Sequence, residues 1–401
     1  MDERPLLPAR EPGPVSPGDE CWSRRDCLKA LGLLAAGGAA FAVGPSGPAA
    51  AAEGAAALDD RAWFPGPDER ARVSLVQGAS VEDNVRLAIA LAGGLAEIGQ
   101  GQSVVIKPNC VWYTGAQTVP THEPDAPITT DPEVLRAVIR AVKERNQAPE
   151  RILVADHAGF LMSTTLVMKK RGLYDVALEE GVQVKGWEDT PHARFSSPRW
   201  EYLSQPVDVS ETLLGCDHFI NVPVLKNHSL PVIRDQAQYS CCLKAFVGTI
   251  SASNRLFNRR MFHEWNLPEK VAELNLIRPW RMPDGRPGIT MNVVDATRVI
   301  VSGGPHNSIF LEEMKVAEPG MILASRDRVA CDTVALSVLK HHARLRQVDR
   351  DYTRIPVWQQ RQIVHAARLG LGIADPARID ILTRGLPSAL EQGILAIWSE
   401  S

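Results

Sequence analysis

Short apolar runs of strand length alternate with amphipathic helical patterns through the first half of the sequence. This order is typical of strand–helix–strand crossover units, which place successive strands parallel to one another in one sheet. The sequence therefore predicts an α/β fold: a mainly parallel sheet flanked by helices in three layers, built as one unit or as two intimate subdomains. The predicted strands cover residues 72–76, 103–107, 151–156, a segment near Val182, 218–225, 289–301, 321–324 and 378–383.

Helix starts are marked by capping residues. Ser80 precedes an apolar stripe with an acidic residue three positions on, and Thr130-Asp131-Pro132-Glu133 combines a cap with a proline in the first turn. A further helix is predicted over 164–180, and Ser325 is predicted to cap a helix over 327–339. Residues 187–210 are predicted to form a long excursion or a hairpin.

The amino terminus has the three parts of a secretory signal. Ser23-Arg24-Arg25-Asp26-Cys27-Leu28-Lys29 matches the twin-arginine consensus at most positions, with Cys27 in place of the usual aromatic residue. The weakly apolar stretch 30–43 that follows is shorter than the roughly 20 strongly apolar residues of a membrane-spanning helix. An ordinary amphipathic amino-terminal helix is the alternative, which the Ala-Gly-Pro tracts disfavour.

The prediction for this segment is therefore export, folded, through the twin-arginine translocase to the periplasm or the extracellular space. Residues 1–57 form the signal and its small-residue linker, cleavage falls within 49–57, and the mature form carries no membrane anchor. The α/β domain is predicted over 70–385 and a carboxy-terminal tail over 386–401.

The composition excludes some partners. The chain has 401 residues and a formal net charge of −3, without a long basic run, so no nucleic acid is expected as a ligand. Of the seven cysteines, Cys21 and Cys27 lie in the predicted leader, and the five others are not arranged as C-x-x-C. An iron–sulfur cluster or zinc ribbon is therefore not predicted. The adjacent Cys241 and Cys242 suit a soft metal or, more simply, a buried small-residue patch on a helix.

Polar side chains follow the predicted strands at their carboxyl ends, where open α/β sheets bind ligands. They are Lys107 and Asn109, Asp156 and His157, then Asn221, Lys226 and His228, and finally Asp295. Each residue alone has a structural explanation, such as a solvated strand end or a loop cap. Four strand ends carrying Lys, Asn, Asp and His together favour a common site.

These segments resemble a known family, the domain of unknown function 362. The resemblance runs from about residue 104 to 339 through Ile106-Lys107-Pro108-Asn109, Thr130-Asp131-Pro132-Glu133-Val134, Asn221-x-Pro-x-x-Lys226-x-His228, Leu243-Lys244-x-x-x-Gly248, Gly303-Gly304-Pro305 and Leu323-Ala324-Ser325-x-Asp327. The third of these motifs is the most specific. Some relatives carry an appended ferredoxin-type module, which this sequence lacks, so the resemblance implies no iron–sulfur role here. The family name records that its activity is unsettled, and the resemblance therefore implies site positions without a reaction.

The chemistry of these residues allows two kinds of ligand. Lys107, Lys226 and Lys244 supply positive charge for a phosphate or carboxylate, and Asn109 and Asn221 orient it by hydrogen bonds. Asp156, His157 and His228 are the candidate catalytic acids and bases. A divalent metal is the alternative, with the imidazole and carboxylate groups as ligands, above all His228, His263 and Asp295.

No HExxH, GxSxG, Walker phosphate loop or GxGxxG motif is present, which excludes the commonest templates of metalloproteases, serine hydrolases, nucleoside triphosphatases and dinucleotide enzymes. The leading hypothesis is an exported enzyme that acts on a small anionic substrate, with or without a divalent metal. The alternatives are a binding or delivery protein for an anion or metal, and a subunit that partners an iron–sulfur redox protein.

Overall fold

The computed structural model describes residues 64–111, 127–159, 162–228, 237–251, 265–304 and 314–400. The predicted export signal, with Arg24 and Arg25, lies outside the described residues, and so does the candidate ligand His263. Everything below concerns the described part of the chain.

The described residues form one large sheet and a separate hairpin. The strands are β1 Ala71–Gln77, β2 Val104–Pro108, β3 Ile152–Asp156, β4 Gln183–Gly186, β5 His192–Phe195, β6 Val207–Ser210, β7 His218–Val222, β8 Val224–His228, β9 Gln238–Ser240, β10 Met291–Ser302, β11 Lys315–Ala317, β12 Met321–Ser325 and β13 Ile379–Arg384. Strands β5 and β6 pair only with each other among these, within the predicted excursion.

The main sheet has the strand order β13-β1-β12-β10-β7-β2-β3-β4, with β8 and β11 beside β10 and β9 beside β8. The run from β10 through β7, β2 and β3 to β4 is parallel throughout, and β1 is parallel to β13. Strand β12 is antiparallel to both of its neighbours. The prediction of a mainly parallel α/β sheet is confirmed.

The helices form a layer on each face of this sheet. They are α1 Val81–Leu91, α2 Pro132–Asn146, α3 Thr164–Lys170, α4 Leu173–Glu179, α5 Glu211–Gly215, α6 Leu267–Leu274, α7 Arg328–Leu345, α8 Asp351–Arg354, α9 Arg361–Arg368 and α10 Ser388–Ser399. One core cluster contains residues of α1 to α4, and the other contains residues of α6, α7, α9 and α10. None of the described helices combines the length and the apolar character that crossing a membrane requires.

The central strands are apolar because both faces are covered. All five residues of β2 are buried, and successive side chains enter opposite cores: Val105 lies in the α7 core and Ile106 in the α1–α4 core. This alternation places Lys107 on the same face as Val105. The lysine at the end of β2 therefore enters the buried space beneath the α7 layer.

Several predicted elements differ in detail. The helix predicted over 164–180 is two helices, because Gly172 has a φ of +75° that an α-helix cannot continue through. The strand predicted over 218–225 is β7 followed by β8, with Pro223 between them.

At the start of α7 the predicted cap is wrong. The N-cap is Asp327, whose carboxylate accepts from the backbone N–H of Val329 and Ala330, whereas the Ser325 hydroxyl accepts from the backbone N–H of Asp327. No element is predicted for residues 386–401, yet α10 lies there, because Ile394 and Ile397 are buried against the α7 layer.

Candidate functional site

Parallel pairing brings the polar strand ends side by side. Lys107 of β2 pairs in register with Asn221 of β7, which pairs in turn with Asn292 of β10. Because residues in register on neighbouring strands share a face, these three side chains form a polar row beneath the α7 layer. We call Lys107, Lys226 and Lys244 the lysine cluster. Lys107 belongs to both the row and the cluster.

Lys107 forms a buried ion pair with Asp156 at the end of β3. Its Nζ lies 2.6 Å from Asp156 Oδ1, and both side chains are at most 1% exposed. The other carboxylate oxygen accepts from the backbone N–H of Cys110 at 2.6 Å. Burial raises the pKa of Asp156 above its usual range even though Lys107 lies beside it.

Gly248 lies against this ion pair. A Cβ at this position would be 2.4 Å from Asp156 Oδ1 and 2.9 Å from Lys107 Nζ, closer than side-chain atoms tolerate. The Gly248 carbonyl also accepts from the backbone N–H of His157 at 3.2 Å. Only glycine allows the backbone to approach the two charges this closely.

Lys226 is fully buried in β8, which excludes the interpretation of a solvated strand end. Its ammonium donates to Asn109 Oδ1 and, at 3.1 Å, to the carbonyl of Ile128, both of them neutral acceptors. It forms no ion pair with any described carboxylate. Burial, followed by the charge of Lys244, lowers the pKa of Lys226 to about 7, although Asp156 and Asp295 act in the opposite direction.

Lys244 begins a 3-10 helix, Lys244–Thr249, that also carries Gly248. The turn before it, residues 241–243, is held by Asp332 of α7: the carboxylate accepts from the backbone N–H of Cys242 at 2.8 Å and from the Tyr239 hydroxyl at 3.1 Å. Lys244 is buried and close enough to Lys226 to depress its pKa. We call residues 241–243 with Asp332 the Asp332 turn.

The two predicted asparagines have different neighbours. Asn109 contacts Lys226 directly, and its backbone N–H donates to Thr130 Oγ1 at 2.8 Å. Asn221 donates to Asn292 Oδ1 at 3.1 Å and to the carbonyl of Cys242 at 3.2 Å. Within the described part of the chain, the buried Asn221 Oδ1 has no hydrogen-bond partner, so it offers an acceptor inside the polar row.

Both carboxylate oxygens of Asp295 accept hydrogen bonds from protein groups. One oxygen accepts from the backbone N–H of Asp131 at 2.8 Å, and the other from the N–H and hydroxyl of Thr297 at 3.1 and 2.6 Å. These bonds join β10 to the start of α2. Burial raises the pKa of Asp295, although the hydrogen bonds from Thr297 and Asp131 act in the opposite direction.

Two of the predicted histidines, His157 and His228, are described by the structure, and they follow or end strands β3 and β8. His157 Nδ1 is 3.2 Å from Glu188 Oε2, and its ring stacks with His192 at a centroid distance of 6.1 Å. Burial opposes ionisation of Glu188, but hydrogen bonds from His157 and Thr164 lower its pKa to about 2. His228 is half-buried at the end of β8, opposite Gln238. The predicted acid–base residue Asp156 contacts Lys107 of the cluster.

A second group of ligand-type atoms lies in the Asp332 turn. One atom each from Cys241, Cys242 and Asp332 lie within 4.8 Å of one another, and the two sulfurs are 3.8 Å apart. Burial raises the pKa of both thiols, that of Cys241 to about 12, so both are protonated near neutral pH. The predicted buried small-residue patch describes these cysteines, although they lie in a turn and not on a helix.

Sequence reasoning missed Asn292, Asp332 and Glu188. Asn292 lies between the apolar residues Met291 and Val293 of a buried strand, which is a signal for a buried polar contact. Asp332 stands in the same way within the buried part of α7, beside Cys331. Glu188 gives no such signal, because it follows a short strand in a polar segment.

These features define a class of protein: an α/β protein with a buried, lysine-rich polar cluster at the carboxyl edge of a mainly parallel sheet. The model of the family described as "Domain of unknown function (DUF362)" matches residues 104–337, more than half of the chain, and the chain belongs to that family. A search of curated proteins finds no match. Among solved structures, the lactate racemase apoprotein from Thermoanaerobacterium thermosaccharolyticum aligns with 82% of this chain and 88% of its own, at 12% identity and a TM-score of 0.34.

Proposed function

We propose that the protein is an exported enzyme that acts on a small anionic substrate bound at the lysine cluster. The observation that carries the proposal is the buried ammonium of Lys226, which contacts neutral acceptors and has two further lysines as neighbours. An isolated buried charge is strongly unfavourable, and an anion in contact with it would offset that penalty. A phosphate or a carboxylate has the required charge and size.

The surrounding residues suggest a role for each group. Lys226 and Lys244 supply the charge that holds the anion, and Asn109 fixes the position of the Lys226 ammonium by accepting its hydrogen bond. Asn221 Oδ1 accepts a hydrogen bond from a hydroxyl or amine of the substrate. Asp156, with its raised pKa, takes up or releases a proton next to the bound molecule.

The charge of the cluster favours an anion over a bare divalent cation. Three lysines lie together, the carboxylate of Asp156 already pairs with Lys107, and both oxygens of Asp295 accept protein hydrogen bonds. A divalent metal in this space would be repelled by the lysines unless it arrived with an anionic ligand. Metal dependence is therefore the smaller part of the proposal, with His228 as the ligand-type side chain nearest to Lys226 along β8.

Anion binding is testable by thermal denaturation of the wild type and of Lys226→Met with phosphate, acetate, oxalate, pyruvate and divalent metal salts. We expect one anion class to stabilise the wild type and the variant to bind it about tenfold to a hundredfold more weakly, since one charge-assisted hydrogen bond contributes roughly 1.5–3 kcal/mol. Lys340→Met is the matched control, because Lys340 is a buried lysine outside the cluster that donates to a backbone carbonyl, that of Ile355. An anion that stabilises all three proteins equally would place the binding site elsewhere.

Export is proposed on the strength of the sequence signal alone. Replacing both Arg24 and Arg25 with lysine should leave unprocessed precursor in the cytoplasm, because the translocase reads the arginine pair. Fractionation and amino-terminal sequencing of the wild type should give a mature protein that begins within about residues 50–58. Normal export of the double variant would contradict the route without affecting the proposed activity.

A further inference from the structure

We infer that Lys226 is an amine nucleophile that forms a Schiff base with a small carbonyl compound carrying a carboxylate, of the 2-oxo acid class. This inference rests on the proposed function, because it names the substrate class of the same site. It differs from simple anion binding in giving Lys226 a covalent role.

The hydrogen bonds of Lys226 accommodate the neutral amine as well as the ammonium. A primary amine has two N–H donors and one lone pair, whereas an ammonium has three donors and none. The two acceptors around Lys226, Asn109 Oδ1 and the carbonyl of Ile128, use the two donors of the amine. Its lone pair is then directed away from both acceptors and is available to attack a carbonyl carbon.

The electrostatics of the lysine cluster favour the same form. A lysine is activated as a nucleophile when it is desolvated or when another cation lies next to it, and Lys226 meets both conditions. The side chain is fully buried, and the charges of Lys244 and Lys107 act against its protonation. With a pKa of about 7, a large part of the population is the free amine near neutral pH.

The proposed step conserves atoms and charge. The Nζ lone pair forms a bond to the carbonyl carbon while the C=O π bond breaks, and a proton moves from nitrogen to oxygen to give a carbinolamine. Protonation of that hydroxyl and loss of water give the iminium, and hydrolysis returns Lys226 and the carbonyl compound. The carboxylate on the neighbouring carbon is held by the ammonium of Lys244, which orients the carbonyl carbon towards Nζ.

Asp156 is the proton donor for loss of water. Its side chain is buried, and its charge acts on Lys226. Burial keeps the pKa of Asp156 raised, so the group takes up a proton more readily than an exposed aspartate does. Lys107 stays paired with it and keeps its position fixed.

Reductive trapping tests the inference on the full chain. We would incubate the protein with pyruvate or glyoxylate and sodium cyanoborohydride, then locate the added mass by peptide mapping. We expect one adduct per chain on Lys226, formed at least tenfold faster than on any other lysine. The adduct should be lost in Lys226→Met and Lys226→Arg and retained in Lys340→Met, in which a buried lysine outside the cluster is removed.

The pH dependence of trapping gives a second measurement on the wild type, so the test survives if a variant fails to fold. The rate at Lys226 should rise through about pH 7, whereas labelling of surface lysines should rise only above pH 9. Equal labelling of all lysines, or no adduct at Lys226, overturns the inference. Equal reaction of Lys226 with the neutral probe acetaldehyde overturns the assigned substrate class.

The two proposals fail separately. Stabilisation by phosphate or acetate without an adduct at Lys226 would retain the anion site and reject the covalent step. An adduct at Lys226 without stabilisation by any anion would reject the anion site and retain the nucleophile.

Discussion

The Asp332 turn and the lysine cluster are both buried and polar, and residues of both lie in one stretch of chain, residues 239–249. They differ in how the protein compensates their buried charge. In the Asp332 turn a single carboxylate receives the hydrogen bonds of its surroundings, including those of Cys242 N–H and the Tyr239 hydroxyl. In the lysine cluster the Lys226 ammonium meets neutral acceptors and other cations. The Asp332 carboxylate is therefore satisfied by the protein itself, whereas Lys226 has no ion pair with a described carboxylate.

This difference separates a polar group that the fold itself satisfies from one that we propose a ligand completes. The Asp332 carboxylate orders the turn that precedes Lys244, and so it helps to position Lys244 in the lysine cluster. A fold needs such anchors, and they contribute stability. A buried lysine without a counter-charge contributes none, and it is expected where an incoming group completes the charge balance.

The largest expected effect is that of Asp332→Ala. The substitution leaves the Cys242 N–H and the Tyr239 hydroxyl unpaired in the core, and each such donor costs about 1–3 kcal/mol, so we expect a loss of roughly 3–5 kcal/mol in the free energy of unfolding. Urea denaturation measures it. Asp349→Ala is the control, because that carboxylate is 71% exposed and pairs with Arg354 at the surface. If both variants lose under about 1 kcal/mol, Asp332 is not an anchor.

Lys226→Met should show the opposite behaviour, with a pH dependence. The folded-state pKa of Lys226 is about 7 and the unfolded value is 10.5, so between these values the unfolded chain binds more protons. The burial penalty is therefore complete below pH 7 and disappears as the pH rises towards 10.5. The methionine variant should be more stable than the wild type at pH 6, and this advantage should shrink by about 2–3 kcal/mol by pH 9, since one pKa unit corresponds to about 1.4 kcal/mol.

Lys340→Met sharpens this measurement. Burial lowers the pKa of Lys340 to about 8, so its variant should change in the same direction by a smaller amount over the same pH range. A difference between wild type and Lys226→Met that does not depend on pH would mean that Lys226 stays protonated in the fold. That result would count against the proposal that the charge of Lys226 is uncompensated and against its proposed role as a nucleophile.

The sequence predicted the sheet better than the site, for reasons that lie in particular residues. Strands such as β2 and β3 are buried on both faces, so their apolar runs are visible in the sequence, as is the capped start of α2. The lysines at or near strand ends could be located because they follow these apolar runs.

What the sequence did not reveal depends on pairing across long separations. The contact of Lys226 with Asn109 spans 117 positions and depends on the strand order, and the bond from Cys242 to Asp332 spans 90. Burial of Lys226 could not be read from its neighbours, because a lysine after an apolar run is usually solvated. Asp295 and His157 were predicted as site residues from their type and their position at strand ends. The structure pairs Asp295 with Asp131, at the start of α2, and with Thr297 of its own strand, and it places His157 beside Glu188, after β4.

The smallest expected effect is that of Gly248→Ala, which tests how closely the backbone of the 3-10 helix approaches the charges of the site. The added methyl would lie 2.4 Å from Asp156 Oδ1 and 2.9 Å from Lys107 Nζ, so the ion pair or the helix must move. Overpacking of a buried site typically costs about 1–3 kcal/mol, and we expect about 1–2 kcal/mol here, because the end of the Lys107 side chain can shift.

Gly215→Ala is the matched control for this change. Gly215 ends α5, and a Cβ there would meet no atom within 4 Å, so the variant should lie within about 0.5 kcal/mol of the wild type. Gly248→Ala should also weaken stabilisation by the anion that the wild type binds, because Lys107, Asp156 and Lys226 act on one another through their charges. Unchanged anion binding together with reduced stability would show that the ion pair supports the fold alone, and the functional site would then be limited to Lys226, Lys244 and their neutral partners.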